Sequence, residues 1–331
     1  MSRSQPSVNS TGSGRRIAKG APKRKKLIAF GWYGGKFSHL PFILPHIPED
    51  ATHFCDVFGG SAAVILNRPP APVETYNDID EELVNFFTVL RDQSDDLIRA
   101  IGLTPFSREE LAKACEYEPD LPVIERARRF FVRARQTRTG LAQTSSEGRW
   151  AHCVLTSRAG MAGAVSRWLG SVEALPEIVQ RLARVQIENA PAVEVIQRYD
   201  TPETVFYLDP PYVHAARGDK AAYGHEMIDA EHAELAAVLH TIRGRAVLSG
   251  YRTPLYDHLY AGWRRVDALP RNCHSVRQPR QESLWMNFER TASSPMMSWR
   301  TGLPTEIDVE LDSCGAPLDV REDWRGLLES A

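Results

Sequence analysis

The stretch Val205-Phe206-Tyr207-Leu208-Asp209-Pro210-Pro211-Tyr212 decides the reading of this chain. A run of β-favouring residues drives into a carboxylate, two prolines and an aromatic ring, the pattern of a buried strand whose C-terminal end is held rigid. In open α/β sheets, ligands sit outside the carboxyl ends of the strands. Two prolines fix φ and remove two backbone donors, which leaves carbonyl oxygens free to accept. Asp209 and the Pro210 carbonyl thus form an acceptor pair, stiffened by Pro211, beside the flat face of Tyr212.

That set suits an exocyclic amino group on a heterocycle. The lone pair of an aromatic amine is delocalised into the ring, and two acceptors holding its N–H bonds can draw the nitrogen toward tetrahedral geometry. Tyr212 can grip the ring by stacking, as happens when a base is flipped out of a duplex. Asp209 to Tyr212 resembles the Asp-Pro-Pro-Tyr motif of S-adenosylmethionine-dependent amino-methyltransferases, particularly the Dam-type DNA adenine-N6 family known from phages and restriction-modification systems.

Upstream, Gly31-Trp32-Tyr33-Gly34-Gly35-Lys36 combines glycines that let backbone approach a ligand, an aromatic face and a cation. It resembles the family's opening Trp-x-Gly-Gly-Lys motif, which implies that Trp32, Tyr33, Gly34, Gly35 and Lys36 help to hold the methionine part of the cofactor. His53 to Val64 reads as a strand entering a glycine turn and then a helix. It is similar to the family's Asp-x-Phe-x-Gly-Ser-Gly signature and places Asp56, Phe58 and Gly60 at the cofactor, with Ala62 where the last glycine is usual. Val73 to Asp80 reads as a second strand ending in carboxylates, the place where an acid commonly holds ribose hydroxyls. Asp78 and its neighbour Ile79 match the family's position; Asp80 could serve instead, and one of the two acids caps the helix that follows.

From Leu83 to about Arg184 the pattern is mainly helical and rich in arginine, with Arg126, Arg128, Arg129, Arg133, Arg135, Arg138, Arg149, Arg158 and Arg167 facing few acids. Arginine suits forked contacts with phosphates and guanine edges. The plain alternative is a solvated helix face around Phe130 and Phe131. In the family the target-recognition region lies at this point of the chain, and Arg135 and Arg138 stand as candidates for DNA contact.

Further strands follow near residues 184, 204, 245, 263 and 283, which with those near 53 and 73 makes seven. The resemblance implies an α/β fold with a Rossmann-like seven-stranded class I methyltransferase sheet, its last strand reversed. Residues 27–90 and 184–290 would form the catalytic domain and 91–183 the recognition insertion. Relatives commonly carry an Asp that contacts the cofactor's adenine where this chain has Pro191; backbone, Glu188 or Glu194 would then take that contact. Ser249-Gly250-Tyr251 resembles a late motif lining the target-base pocket, which puts Ser249 and Tyr251 beside the base. Val213 to Met227 reads as a polar flexible loop able to close over the site.

Composition bounds the rest. The chain has 331 residues, 43% of them hydrophobic, and no apolar run approaches a membrane span. Its five cysteines are scattered and form no Cys-x-x-Cys pair, so neither a disulfide framework nor a zinc site is indicated, and a reducing cytoplasm fits. His225, Glu226 and His232 lack the spacing of a metal motif. The net charge of −2 conceals a basic, acid-free segment at residues 1–26, expected to be disordered and suited to nonspecific phosphate contact. A tail is expected at 291–331. The implied activity is adenine-N6 methylation of double-stranded DNA with S-adenosylmethionine and no metal, with room for a cognate restriction endonuclease as partner. Alternatives are cytosine-N4 or RNA methylation, or a nonenzymatic DNA-binding relative.

Overall fold

The computed structural model describes residues 26–32, 34–138, 142, 145–213, 227–272 and 279–289. Both expected tails, Tyr33 and most of the expected loop after Tyr212 lie outside them.

Seven strands form one sheet: β1 (His53–Asp56), β2 (Val73–Asn77), β3 (Gln186–Glu188), β4 (Thr204–Leu208), β5 (Arg245–Tyr251), β6 (Arg264–Asp267) and β7 (Glu282–Met286). Their spatial order is β3-β2-β1-β4-β5-β7-β6. The first five run parallel, with Cys55 of β1 level with Thr75 of β2 and Phe206 of β4, while β7 runs antiparallel to both β5 and β6. This is the α/β sheet with a reversed last strand that the motifs imply. The third and last strands are shorter than their sequence patterns, which extended over 184–189 and 283–288.

The central strands are buried on both faces, so they read as continuous apolar runs, yet their alternation still sorts the core. Phe54, Val205, Tyr207 and Val247 face one apolar cluster, and Cys55, Phe206, Leu208 and Leu248 face the other. On the second face lie α8 (Ala192–Tyr199), which begins after Pro191, α9 (Asp229–Leu239) and α10 (Pro254–Leu259). Leu235 and Leu239 are the buried stripe of α9; Val238 and Ile242 flank it half-buried.

On the first face lie α1 (Ala63–Asn67), α2 (Glu81–Asp92) and the helices that fill the chain between β2 and β3: α3 (Ser94–Gly102), α4 (Arg108–Cys115), α5 (Val123–Gln136), α6 (Gly163–Glu173) and α7 (Leu175–Leu182). A two-residue-per-strand hairpin, Ser157–Arg158 with Met161–Ala162, precedes α6. The apolar face of α5 does not make a core of its own. Phe131 stacks on Phe86 of α2 with ring centroids 5.6 Å apart, and Phe130 meets Phe30 at 5.2 Å and Trp32 at 6.4 Å. One apolar cluster thus runs from the sheet through α2 to α5 and Trp168. On the same side α7 is fastened to β2 by a buried ion-pair group: Glu74, fully buried, accepts from Arg181 at 2.6 Å and from Arg68 at 3.1 Å, with Arg184 at 3.6 Å.

Candidate active site

The carboxyl ends of the parallel strands open onto a cavity of about 380 Å³. Trp32, Gly34, Gly35 and Lys36 wall it from the segment before β1; Asp56, Phe58 and Gly60 come from β1 and its turn; Asp78 and Ile79 come from the end of β2. Asp209 and Pro211 complete it from β4. The expected cofactor residues among those described are therefore brought to one place.

The turn after β1 is shaped by contact. A Cβ on Gly59 would lie 2.1 Å from the Tyr76 ring, so no other residue fits there. Gly60 takes a left-handed φ of 50°, donates its N–H to Asp78 at 2.9 Å and accepts from the Tyr76 hydroxyl at 2.8 Å. Ala62 also adopts a left-handed φ, 58°, and is fully buried. That conformation costs alanine about 1 kcal/mol, and burying its methyl returns about 0.8 kcal/mol, so alanine at this turn is nearly neutral. The two acids at the end of β2 divide their tasks. Both line the cavity, but Asp78 accepts from the amides of Gly60 and Asp80, whereas the Asp80 side chain caps α2 by accepting from Glu82 and Leu83.

Behind the cavity wall lies a buried polar group. Lys36, 3% exposed, sits 2.7 Å from Asp209 and 3.5 Å from Glu282, and donates to the Tyr212 hydroxyl. Tyr212 in turn donates to Glu282 at 3.2 Å. Ser249 donates to Asp209 at 3.1 Å and meets the Tyr207 hydroxyl at 3.0 Å. The Tyr212 ring stacks on Tyr251 with centroids 4.2 Å apart, and the Lys36 ammonium lies 4.6 Å from its centre. Lys36, which the motif suggests for a cofactor carboxylate, is thus engaged by two protein carboxylates, and the face of Tyr212 is covered by Tyr251.

These carboxyls do not ionise alike. Burial pushes Glu282 up to about 7, with Lys36 pulling it back and Asp209 adding repulsion. Burial also raises Asp209, restrained by Lys36 and Ser249. Neither oxygen of buried Asp56 has a hydrogen-bond partner among the described residues. Burial, then repulsion from Asp209, pushes its carboxyl up to about 8, the nearby Ile65 amide, short of a well-formed hydrogen bond, offsetting only part of this.

The sequence reading places Glu282 at the head of the final strand but does not count it among the site residues. It opens β7, and because β7 is reversed its first residue lies level with Tyr251 at the carboxyl end of β5. The signal was an acid heading an otherwise uncharged strand, Glu282 to Met286, all of it buried. Pro191 lines the cavity, with Ala192 and Val193 beside it; Glu188 and Glu194 do not. Glu188 is held instead by Tyr199 at 2.6 Å and Arg198 at 3.0 Å. Buried His232 meets the Tyr256 hydroxyl at 3.2 Å, and no three His, Cys, Asp or Glu side chains among the described residues are placed to hold a metal; His225 and Glu226 lie outside those residues.

Arg135 and Arg138 stand apart from this group. They line a second, polar cavity of about 230 Å³ with Arg167 and His152.

Among the described residues no helix is long and apolar enough to cross a membrane. No curated protein matches the chain. The model of the D12 class N6 adenine-specific DNA methyltransferase family matches residues 32–272. That span takes in the Trp32 turn, the Asp56 turn, the arginine-rich helices and Asp209 to Tyr212, so the sheet, the motifs and the match agree: the chain belongs to the D12 class of N6 adenine-specific DNA methyltransferases.

Proposed function

We propose that the 380 Å³ cavity holds S-adenosylmethionine and that adenine is presented to it at Asp209, Pro210 and Tyr212. The observation that carries this is Asp56. A buried carboxyl with no partner, raised to about 8, faces a cavity that also holds an aromatic wall, Trp32, and a glycine turn. That donor set fits a cationic ligand with a polar end, and ionised Asp56 would meet its positive charge. Trp32, the Gly34-Gly35 turn, Phe58, Gly60, Asp78 and Ile79 would hold the rest of it. When bound, the cofactor supplies an electrophilic methyl group.

The protein's own residues act on the base. Asp209 and the Pro210 carbonyl accept the N–H bonds of the amino group and aim its lone pair, so that catalysis rests on positioning and on charge held next to the nitrogen. The nitrogen gains a methyl and loses a proton, which Asp209 is placed to take. Tyr212 supplies the stacking face, and Tyr251, 4.2 Å from it, occupies that face until the base arrives. Ser249 fixes the Asp209 carboxylate from behind. The helices between β2 and β3, residues 91–183, serve target recognition, with 27–90 and 184–290 as the catalytic part. A cognate restriction endonuclease is supported by the family resemblance alone.

Incubation with unmethylated duplex DNA and labelled S-adenosylmethionine, followed by nucleoside analysis, should yield N6-methyladenine. Asp209→Ala should abolish transfer while sparing DNA binding. N4-methylcytosine as the product would replace the base, and full activity of Asp209→Ala would remove that carboxylate from the mechanism.

A further inference from the structure

Seven of the nine arginines singled out in the helical region fall into two sets. Arg126 and Arg133 pair with Glu82, Arg128 with Glu110 and Glu125, and Arg129 with Glu118 and Glu125, all between 2.6 and 3.2 Å. These four knit α5 to its neighbours. Arg135, Arg138 and Arg167 have no carboxylate partner among the described residues, and all three line the second cavity. Among the described residues the Arg135 guanidinium makes a single long contact, 3.5 Å to the Arg167 carbonyl.

Three guanidiniums around one polar cavity repel one another unless an anion joins them. The last turn of α5 gives Arg135 a partial negative charge from the helix carbonyls, but this leaves most of its five donors unused. Desolvation and then repulsion from Arg167 push the half-buried Arg135 down to about 10, the direction expected of a cation lacking a counter-charge. The wall is also preorganised. Arg108 lies over the Trp150 ring at 4.8 Å, Trp150 stacks on His152 with centroids 5.9 Å apart, and a His152 ring nitrogen accepts from Arg138 at 3.0 Å. This ladder fixes the guanidinium of an exposed arginine in the absence of any acid.

We propose that the cavity formed by Arg135, Arg138, Arg167 and His152 binds a backbone phosphate of duplex DNA, anchoring the substrate rather than reading its sequence. A phosphodiester offers the missing charge and several acceptor oxygens to convergent forks. The placement also suits a duplex engaged at the first cavity. Phe130, one residue of α5 in contact with Trp32, is five residues from Arg135, roughly 7.5 Å along the helix axis. This inference rests on the functional reading above and adds to it which arginines meet DNA, and how.

The test is the salt dependence of binding, measured with the full chain and short unmethylated duplexes of several sequences. Arg138→Ala and Arg167→Ala are surface changes that should leave the fold intact. Each should weaken binding to every duplex alike, and the two together should lower the slope of log affinity against log salt by about 1, the share of the single phosphate they hold. An unchanged slope, or a loss confined to one sequence, would overturn the phosphate assignment while leaving the methyltransferase reading in place. Stabilisation by millimolar inorganic phosphate exceeding that by duplex would assign the cavity to a free anion and overturn it too. Failure of the unaltered protein to bind any duplex would overturn both readings.

Discussion

At the scale of residues, the site concentrates two carboxylates, one ammonium and one phenol, all largely buried. Lys36 cannot neutralise both Asp209 and Glu282, and burial raises both carboxyls. A carboxyl raised from 4.5 to about 7 keeps its proton in the folded state over a range in which the unfolded chain has released it. Its contribution to stability therefore falls as pH rises from about 4.5 to 7. Glu282→Gln should gain thermal stability relative to the parent between pH 5 and pH 8, and melting curves at the two values check this. The same change removes an acceptor that fixes Tyr212, so kcat should fall about tenfold, ~1.4 kcal/mol of positioning, with DNA affinity little altered; equal kcat would remove Glu282 from the site. Asp209 was legible because its strand, its prolines and its ring are contiguous in sequence. Glu282 was not, because its place depends on the register of a strand that pairs with another about thirty residues away.

At the scale of elements, α5 shows why charge patterns mislead. Its arginines recur along the helix as a nucleic-acid face might, yet Glu82, the acid that neutralises two of them, comes from α2, 44 residues earlier than Arg126. The apolar stripe was readable; the partners of the polar stripe were not. The glycine turn after β1 is the converse case, since its steric demand is local and its sequence announces it. The Glu74 group on β2 gives an element-scale prediction. Glu74→Ala would leave Arg68 and Arg181 buried without a counter-charge, at a cost of about 3–5 kcal/mol. Urea unfolding should show this as a lower midpoint with an unchanged slope, and a loss below about 1 kcal/mol would show that the two arginines find other partners.

At the scale of the whole molecule, the family match stops at residue 272, whereas the sheet does not. β7 lies between β5 and β6 and hydrogen-bonds to both, with all five of its residues buried. A chain ending at Asn272 should accordingly fail to accumulate as soluble protein, since β5 would become an open edge and Trp285 and Met286 would leave the two cores; a soluble, cooperatively melting fragment would contradict this. The number of strands and the reversal of the last were legible because the motifs fall at the ends of strands, one after another, and resemble those of a known family. The fusion of the helical region with the sheet core was not, because it depends on Phe30, Phe86 and Phe131 meeting across a hundred residues of chain.

The partition of α5 bears, finally, on how such a protein can diversify. The four paired arginines are committed to holding the helix in place, and their loss costs stability. The three that share the second cavity hold up nothing else among the described residues, so they can be exchanged while the scaffold stands. Inheritance can thus retune how this molecule grips its substrate by small surface steps, each one passing through a folded intermediate.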